Sequence, residues 1–281
     1  SSSGGTTPSW EEVPSPTTLR LHAVTASGAN AVAVGENGVI LELRGGFWTK
    51  ASSPTSETLW AVAGNGGETY AVGNNGTVVR SNGASWTVVP TPTTLPLNGV
   101  RVFFNDVVVV GGRAGGPGVI LERQGNTWTD RSTASTPALF SVGGVDTTAW
   151  ALAEDGRVLT RETAGWFEYG AGGGPGMLRI TGRWPRAYSV GLDGTARVYD
   201  NRTNTVSNVL LPTTAPLLGI TLHPQDSSIW ACGEDGTVVH APDQGQFSAE
   251  SLPLPVRLWG VAFVGNTLWA VGENGALWRR E

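Results

Sequence analysis

Short apolar runs flank glycine-containing turns along this chain, as in "AVAVGENGVILEL" at residues 31–43 and "TYAVGNNGTVVRS" at 69–81. Two apolar segments joined through Asn-Gly or Asp-Gly are the strongest short-range signature of a β-hairpin. The pattern recurs seven times. The copies align on Gly38, Gly76, Gly118, Gly156, Gly194, Gly236 and Gly275, spaced 38 to 42 residues apart, and six of the seven have Asn or Asp before that glycine. Each copy holds four strand-like segments. The first reads Leu, any residue, a small residue, then Val, Ile or Thr: "LHAV" (21–24), "LWAV" (59–62), "LNGV" (97–100), "LFSV" (139–142), "LRIT" (178–181, one step shifted), "LLGI" (217–220) and "LWGV" (258–261). The second and third flank the turn, and the fourth opens on Trp48, Trp86, Trp128, Trp166 or Phe247 in five of the copies.

Four short antiparallel strands per unit of about 40 residues describe a β-propeller blade. A blade cannot bury both faces alone, so it packs against its neighbours, and a closed ring removes the exposed ends. The predicted fold is all-β: a seven-bladed propeller of four-stranded antiparallel blades. The stretch "SWEEVPSPTT" at 9–18 aligns with a fourth strand, its Trp10 standing 38 residues before Trp48, while the copy ending at "LWAVGENGALWRRE" lacks a fourth strand. The N-terminal strand is therefore expected to complete blade seven and close the ring. On this reading residues 9–281 form one propeller domain, with blades one to seven running from 19 to 281, and "SSSGGTTP" at 1–8 is a flexible tether.

Composition agrees with a turn-rich folded β protein: forty Gly, seventeen Pro, twelve Trp and 40% hydrophobic residues. A formal net charge of −5 supplies no basic footprint for nucleic acid or anionic lipid. No apolar run approaches the roughly 20 residues of a membrane-spanning helix. The lone cysteine, Cys232, stands where other copies place Val or Leu, which is an apolar core position. Residues 1–8 look like the tether behind the lipidated cysteine of a bacterial lipoprotein. That leads us to expect a lipid anchor on a preceding Cys and an extracytoplasmic location: periplasmic, outer-membrane or secreted. The expected state is a monomer or a subunit of an envelope complex.

The motif AVG-x-[ND]-G-x-[IV]-[LV], followed by G-x-x-W, resembles the propellers related to the photosystem II assembly factor and, more broadly, the bacterial neuraminidase (Asp-box) repeats. The resemblance covers all seven blades. The Asp-box survives in degraded form, as "SNGASW" at 81–86 and "RQGNTW" at 123–128. The resemblance implies a secreted or lipid-anchored scaffold.

Candidate chemistry is sparse. A sialidase would present an Arg trio, a Tyr nucleophile and paired acids, but Tyr70 and Tyr188, two of the four tyrosines, sit at structural second-strand positions. His22 falls in the first repeat and His223 and His240 at unrelated positions of the sixth, so no metal site or cofactor is expected. A lyase using His22 as a single central base is one alternative function. The acids of the turns, Glu36, Glu154, Asp155, Asp193, Glu234, Asp235 and Glu273, supply turn conformation and solubility, or else form an acidic ring that steers a cation or partner or serves a hydrolase.

The most informative variation follows the Leu of the first segment: His22, Trp60, Asn98, Phe140, Arg179, Leu218 and Trp259. Flanking positions keep one residue type while this one changes. In a propeller these residues would ring the mouth of the central channel. His22, Trp60 and Trp259 would fall on adjacent blades, with Arg179 across the opening, an arrangement able to stack a sugar or grip an extended peptide. Alternatively, the two-residue alternation of a strand turns them into packing between blades. The long third turn "GRAGGPG" (112–118) and the Pro- and Thr-rich connections "SPTTLR" and "PTPTTLP" lie toward the same face. The function expected is a non-catalytic binding or scaffold propeller that engages a protein or glycan at its channel mouth. A lectin with one site per blade is a second alternative, disfavoured because the ring varies.

Overall fold

A computed structural model of the chain describes residues 9–169, 176–242 and 245–281. The tether expected over residues 1–8 lies outside the described residues. Within them, twenty-eight strands form seven four-stranded antiparallel sheets. Six sheets follow chain order. The seventh runs Trp10–Glu12, Leu277–Arg280, Thr267–Gly272, Leu258–Val264, so its outer strand comes from the other end of the chain. Trp10 stands opposite Arg280, Glu11 opposite Arg279 and Glu12 opposite Trp278. The Val13 amide continues the ladder to the Leu277 carbonyl at 2.9 Å, and Arg279 pairs with Glu11 at 2.8 Å. The ring is closed as the repeat arithmetic requires.

The outer-strand tryptophans fasten one blade to the one before it. Trp86 of blade two donates its indole N–H to Glu42 of blade one at 2.9 Å, and Trp166 of blade four donates to Glu122 of blade three at 2.8 Å. Trp10 does the same to Glu250 of blade six at 3.0 Å. The latch strand thus repeats a device used elsewhere in the ring. Between blades lie apolar layers, such as Val32, Val34, Ile40, Leu59, Ala71, Val79 and Trp86 between blades one and two. The two faces of each sheet are buried this way, which is why the second strands are apolar at nearly every position.

The turns between second and third strands explain their own sequence. Asn37, Asn75, Asp235 and Asn274 adopt φ of 52° to 55°, a left-handed conformation that Asn and Asp tolerate better than other side chains. The adjoining connections from fourth strand to next blade are self-braced. Thr17, Thr55, Thr93 and Thr213 each accept the backbone N–H two residues on, at 3.0–3.1 Å. These threonines build the loop, which accounts for the Thr-rich composition without invoking a ligand.

Candidate functional site

In all seven blades the innermost strand carries a β-bulge directly after its first residue. A bulge leaves one residue outside the ladder and re-aims its side chain. The bulge residues are His22, Trp60, Asn98, Phe140, Leu178, Leu218 and Trp259. Six of them are the variable positions singled out above. The seventh needs correcting: Met177, not Leu178, opposes Gly191, so Leu178 occupies the bulge and Arg179 falls one place further on. There it takes the register held in other blades by Ala23, Ala61, Gly99, Ser141, Gly219 and Gly260. That layer is otherwise small because neighbouring innermost strands nearly touch: a Cβ on Gly260 would lie 2.9 Å from Ala23 Cα. The signal for the true register was the β-branched residue two places after the bulge, Ile180, which matches Val24 and Val62 when Met177 is taken as the first residue.

His22, Trp60 and Trp259 do come together. The His22 imidazole lies 4.4 Å from the Trp60 ring and 5.7 Å, edge-on, from the Trp259 ring. Each indole is held by its N–H: Trp60 donates to Asn74 Oδ1 at 2.8 Å and Trp259 to Glu273 Oε1 at 3.2 Å. Both indoles are half-buried, whereas His22 is only 2% exposed. The Asn98 amide bonds the Gly112 and Leu139 carbonyls at 3.1 and 2.9 Å, tying blade three to blade four. Leu218 is buried and Phe140 half-buried.

The turn acids near the mouth are paired. Arg20 bridges Glu36 at 3.3 Å and Glu273 at 2.9 Å, and Arg257 reaches Glu234 at 2.9 Å and Glu273 at 3.8 Å. Both guanidinium groups also lie over the Trp259 ring, at 5.5 and 5.8 Å. Burial works to raise the Glu273 carboxyl's pKa, but hydrogen bonds from Arg20 and Trp259 outweigh it and hold the group below its ordinary value. Asp155 pairs with Arg157 at 2.7 Å and Asp193 with Arg197 at 3.7 Å. Among the described residues no three His, Cys, Asp or Glu side chains converge as a metal site would need. Arg20 and Arg257 were not anticipated, because each meets acids of a different blade and no spacing along the chain encodes that.

Beneath the mouth the seven innermost strands surround a channel of about 180 Å³, lined by His22, Arg101 and Arg179 and, among the described residues, by no carboxylate. The His22 imidazole is depressed to about 4, chiefly by burial, then by the charges of Arg20 and Arg179. Cys232, buried behind the channel wall, has its thiol pushed up to about 12 by burial, as suits an inert core residue.

A pH test follows from His22. Its folded pKa lies below the ordinary 6.5, so the unfolded chain binds the extra proton between pH 6.5 and 4. Stability from neutral His22 is present above 6.5 and lost as pH falls toward 4, by up to about 3 kcal/mol at ~1.4 kcal/mol per pKa unit. The Tm advantage of the native chain over His22→Phe is expected to shrink across that window. A difference that stays constant from pH 8 to 4.5 would show that the imidazole titrates normally.

No protein-family model matches the chain, and no curated protein sequence does. Solved structures share its architecture at low identity. YCF48 bound to a D1 peptide is 15% identical with a TM-score of 0.78, over 96% of this chain and 94% of that one. Virginiamycin B lyase from Staphylococcus aureus is 13% identical with a TM-score of 0.85, over 98% and 99%. The WD40 propeller domain of Doa1 is 11% identical with a TM-score of 0.80, over 97% of each chain. At such identities the likeness is one of fold.

Proposed function

We propose that this chain is a non-catalytic binding propeller that holds an extended protein segment at the mouth of its channel. The observation that carries the reading is the Trp60–His22–Trp259 cluster on three adjacent blades. Its indoles are half-exposed yet fixed through their N–H groups by Asn74 and Glu273. Aromatic faces held in place before binding lose little entropy on contact, which is the property of interface anchors. The bulges put five different residue types at the same place around the seven blades, so the mouth presents one composite surface in place of seven equal sites. That supports a single asymmetric ligand such as a peptide over a blade-by-blade lectin. YCF48, of the same fold, has been solved with a peptide bound.

The lyase alternative would use His22 as base. A neutral imidazole with a pKa of about 4, buried between two indoles, is a weak proton acceptor at pH 7, and among the described residues no carboxylate is bonded to it to orient the ring. Glu36, Glu234 and Glu273 of the turns are engaged by arginines, which weakens the hydrolase reading in the same way. An extracytoplasmic setting is proposed from the composition of residues 1–8, and cell fractionation of the native host tests it.

Ligands selected from a displayed peptide library are expected to lose about 30-fold or more in affinity on Trp60→Ala or Trp259→Ala, the scale of an interface hot spot. Tm should fall by no more than about 3 °C, because half-buried indoles add less to stability than core ones. A Tm loss near 8 °C with unchanged affinity would assign both residues to blade packing. Binding confined to a glycan array would replace the protein segment with a saccharide.

A further inference from the structure

We propose that the channel below the mouth is an anion site, in which Arg179 grips an oxygen-bearing anionic group: carboxylate, phosphate or sulfate. The first ground is placement. Arg179 is the one long side chain in a layer of Ala, Gly and Ser, so its guanidinium extends into space that other blades leave open. A second ground is the lack of compensation. Among the described residues its one hydrogen bond runs from Nη1 to the carbonyl of its own neighbour Leu178 at 3.0 Å. A guanidinium has five N–H donors. No carboxylate among the described residues lines the channel to answer the charge. Arg179 is half-buried, and burial lowers its pKa, as expected of a cation drawn partly out of water with no acid beside it.

Other groups in the same cavity point the same way. His22 Nε2 is buried with no hydrogen-bond partner and lies close enough to feel the Arg179 charge. Arg101, further along the channel, keeps an unpartnered Nε among the described residues, and its pKa is lowered chiefly by burial against an opposing pull from Asp146. Arg20, at the mouth, is already matched by Glu36 and Glu273 and does not compete for an anion. A chain of net charge −5 has therefore folded so that, among the described residues, the charged groups lining its central cavity are the guanidinium groups of Arg101 and Arg179. Low-dielectric walls strengthen such a field, and about 180 Å³ accommodates one small polyatomic anion with a few waters. A planar guanidinium fork meets two oxygens of a carboxylate or phosphate at once. If the anionic group belongs to the ligand of the mouth, this inference deepens the proposed function and rests on it; binding of a free anion stands without it.

The probes are sodium acetate, phosphate and sulfate at millimolar concentration, with ionic strength held constant by chloride, read by calorimetric titration and by Tm. Saturable binding to the native chain is expected with at least one of them, raising Tm by about 5 °C at a hundredfold excess over Kd. A response to acetate identifies a carboxylate ligand; a response confined to phosphate and sulfate identifies a tetrahedral one. Arg179→Met should abolish the response, while its Tm in anion-free buffer equals or exceeds that of the native chain, since an uncompensated charge has been removed. Arg179→Lys should bind about tenfold more weakly, keeping the charge but losing the fork. Arg131→Met, which removes an exposed arginine paired with Glu122 away from the channel, should respond as the native chain does, so that the effect belongs to Arg179 and not to the loss of any one positive charge. No response from the native chain to any of the three anions, or an equal response from Arg179→Met, would overturn the proposal and leave the peptide reading of the mouth to its own test.

Discussion

Removal of residues 1–13 is expected to lower Tm by more than 10 °C and to make the protein self-associate. The strand Trp10–Glu12 supplies the outer edge of blade seven, and without it Leu277–Arg280 becomes a bare edge with unpaired N–H and C=O groups. Trp10 is 9% exposed and packs in one apolar cluster with Trp230, Leu252 and Trp278, so its loss alone opens a core between blades six and seven. Trp10→Ala isolates that part. A large aromatic removed from a core costs about 3–5 kcal/mol, or roughly 6–10 °C for a domain of this size. Deletion should exceed it by the contribution of the backbone ladder. Scanning calorimetry with size-exclusion chromatography checks both variants, and a synthetic "SWEEVPSPTT" peptide added in trans should restore part of the lost Tm. A deletion variant as stable and monomeric as the native chain would mean that the ring does not depend on its latch.

Gly76→Ala is expected to destabilise the chain by about 3 kcal/mol or more. Gly76 has φ +66°, and a Cβ there would stand 1.9 Å from the Thr93 carbonyl oxygen, an atom of backbone that cannot swing aside. Its own N–H is bonded to the Leu95 carbonyl at 2.9 Å, so retreat of the turn breaks that bond. Gly38 against Thr55 and Gly275 against Thr17 repeat the geometry at 2.1 and 2.0 Å. Gly45→Ala is the comparison: φ is +57° there too, yet nothing lies within 4 Å, so only the left-handed backbone term of about 1 kcal/mol remains. Urea unfolding of both variants measures the difference. Equal losses would show that the approach of Thr93 exerts no strain.

Most of the architecture was legible because it is written in short range. Asn37-Gly38 and its counterparts specify hairpin turns by backbone conformation alone, and a spacing of 38 to 42 residues repeats them often enough to count blades. The latch was legible for the same reason, since Trp10 keeps the repeat distance from Trp48. Membership of the Trp60–His22–Trp259 cluster could be inferred from blade order. What the alignment misplaced was the register of a single strand: "MLRI" aligned on its Leu sends Arg179 to the mouth, while the ladder places it one residue deeper. A one-residue bulge exchanges the facing of side chains; the spacing to Ile180 favoured the deeper register, and the pairing of Met177 with Gly191 decides it.

By itself, then, the sequence determined the number of blades, their strand order and the strand that closes them, since each follows from turns and periodicities spanning a few residues. The tertiary structure alone decided which charges meet. Arg20 finds Glu273, 253 positions away, and Arg257 finds Glu234 of the neighbouring blade, because turns distant along the chain are brought side by side around the mouth. It also decided which charge stays unanswered. Closing the ring moves Arg179 from open water into a channel to which no described residue contributes a carboxylate. Electrostatic energy depends on separation in space and on the surrounding dielectric, and neither quantity exists until the ring has closed.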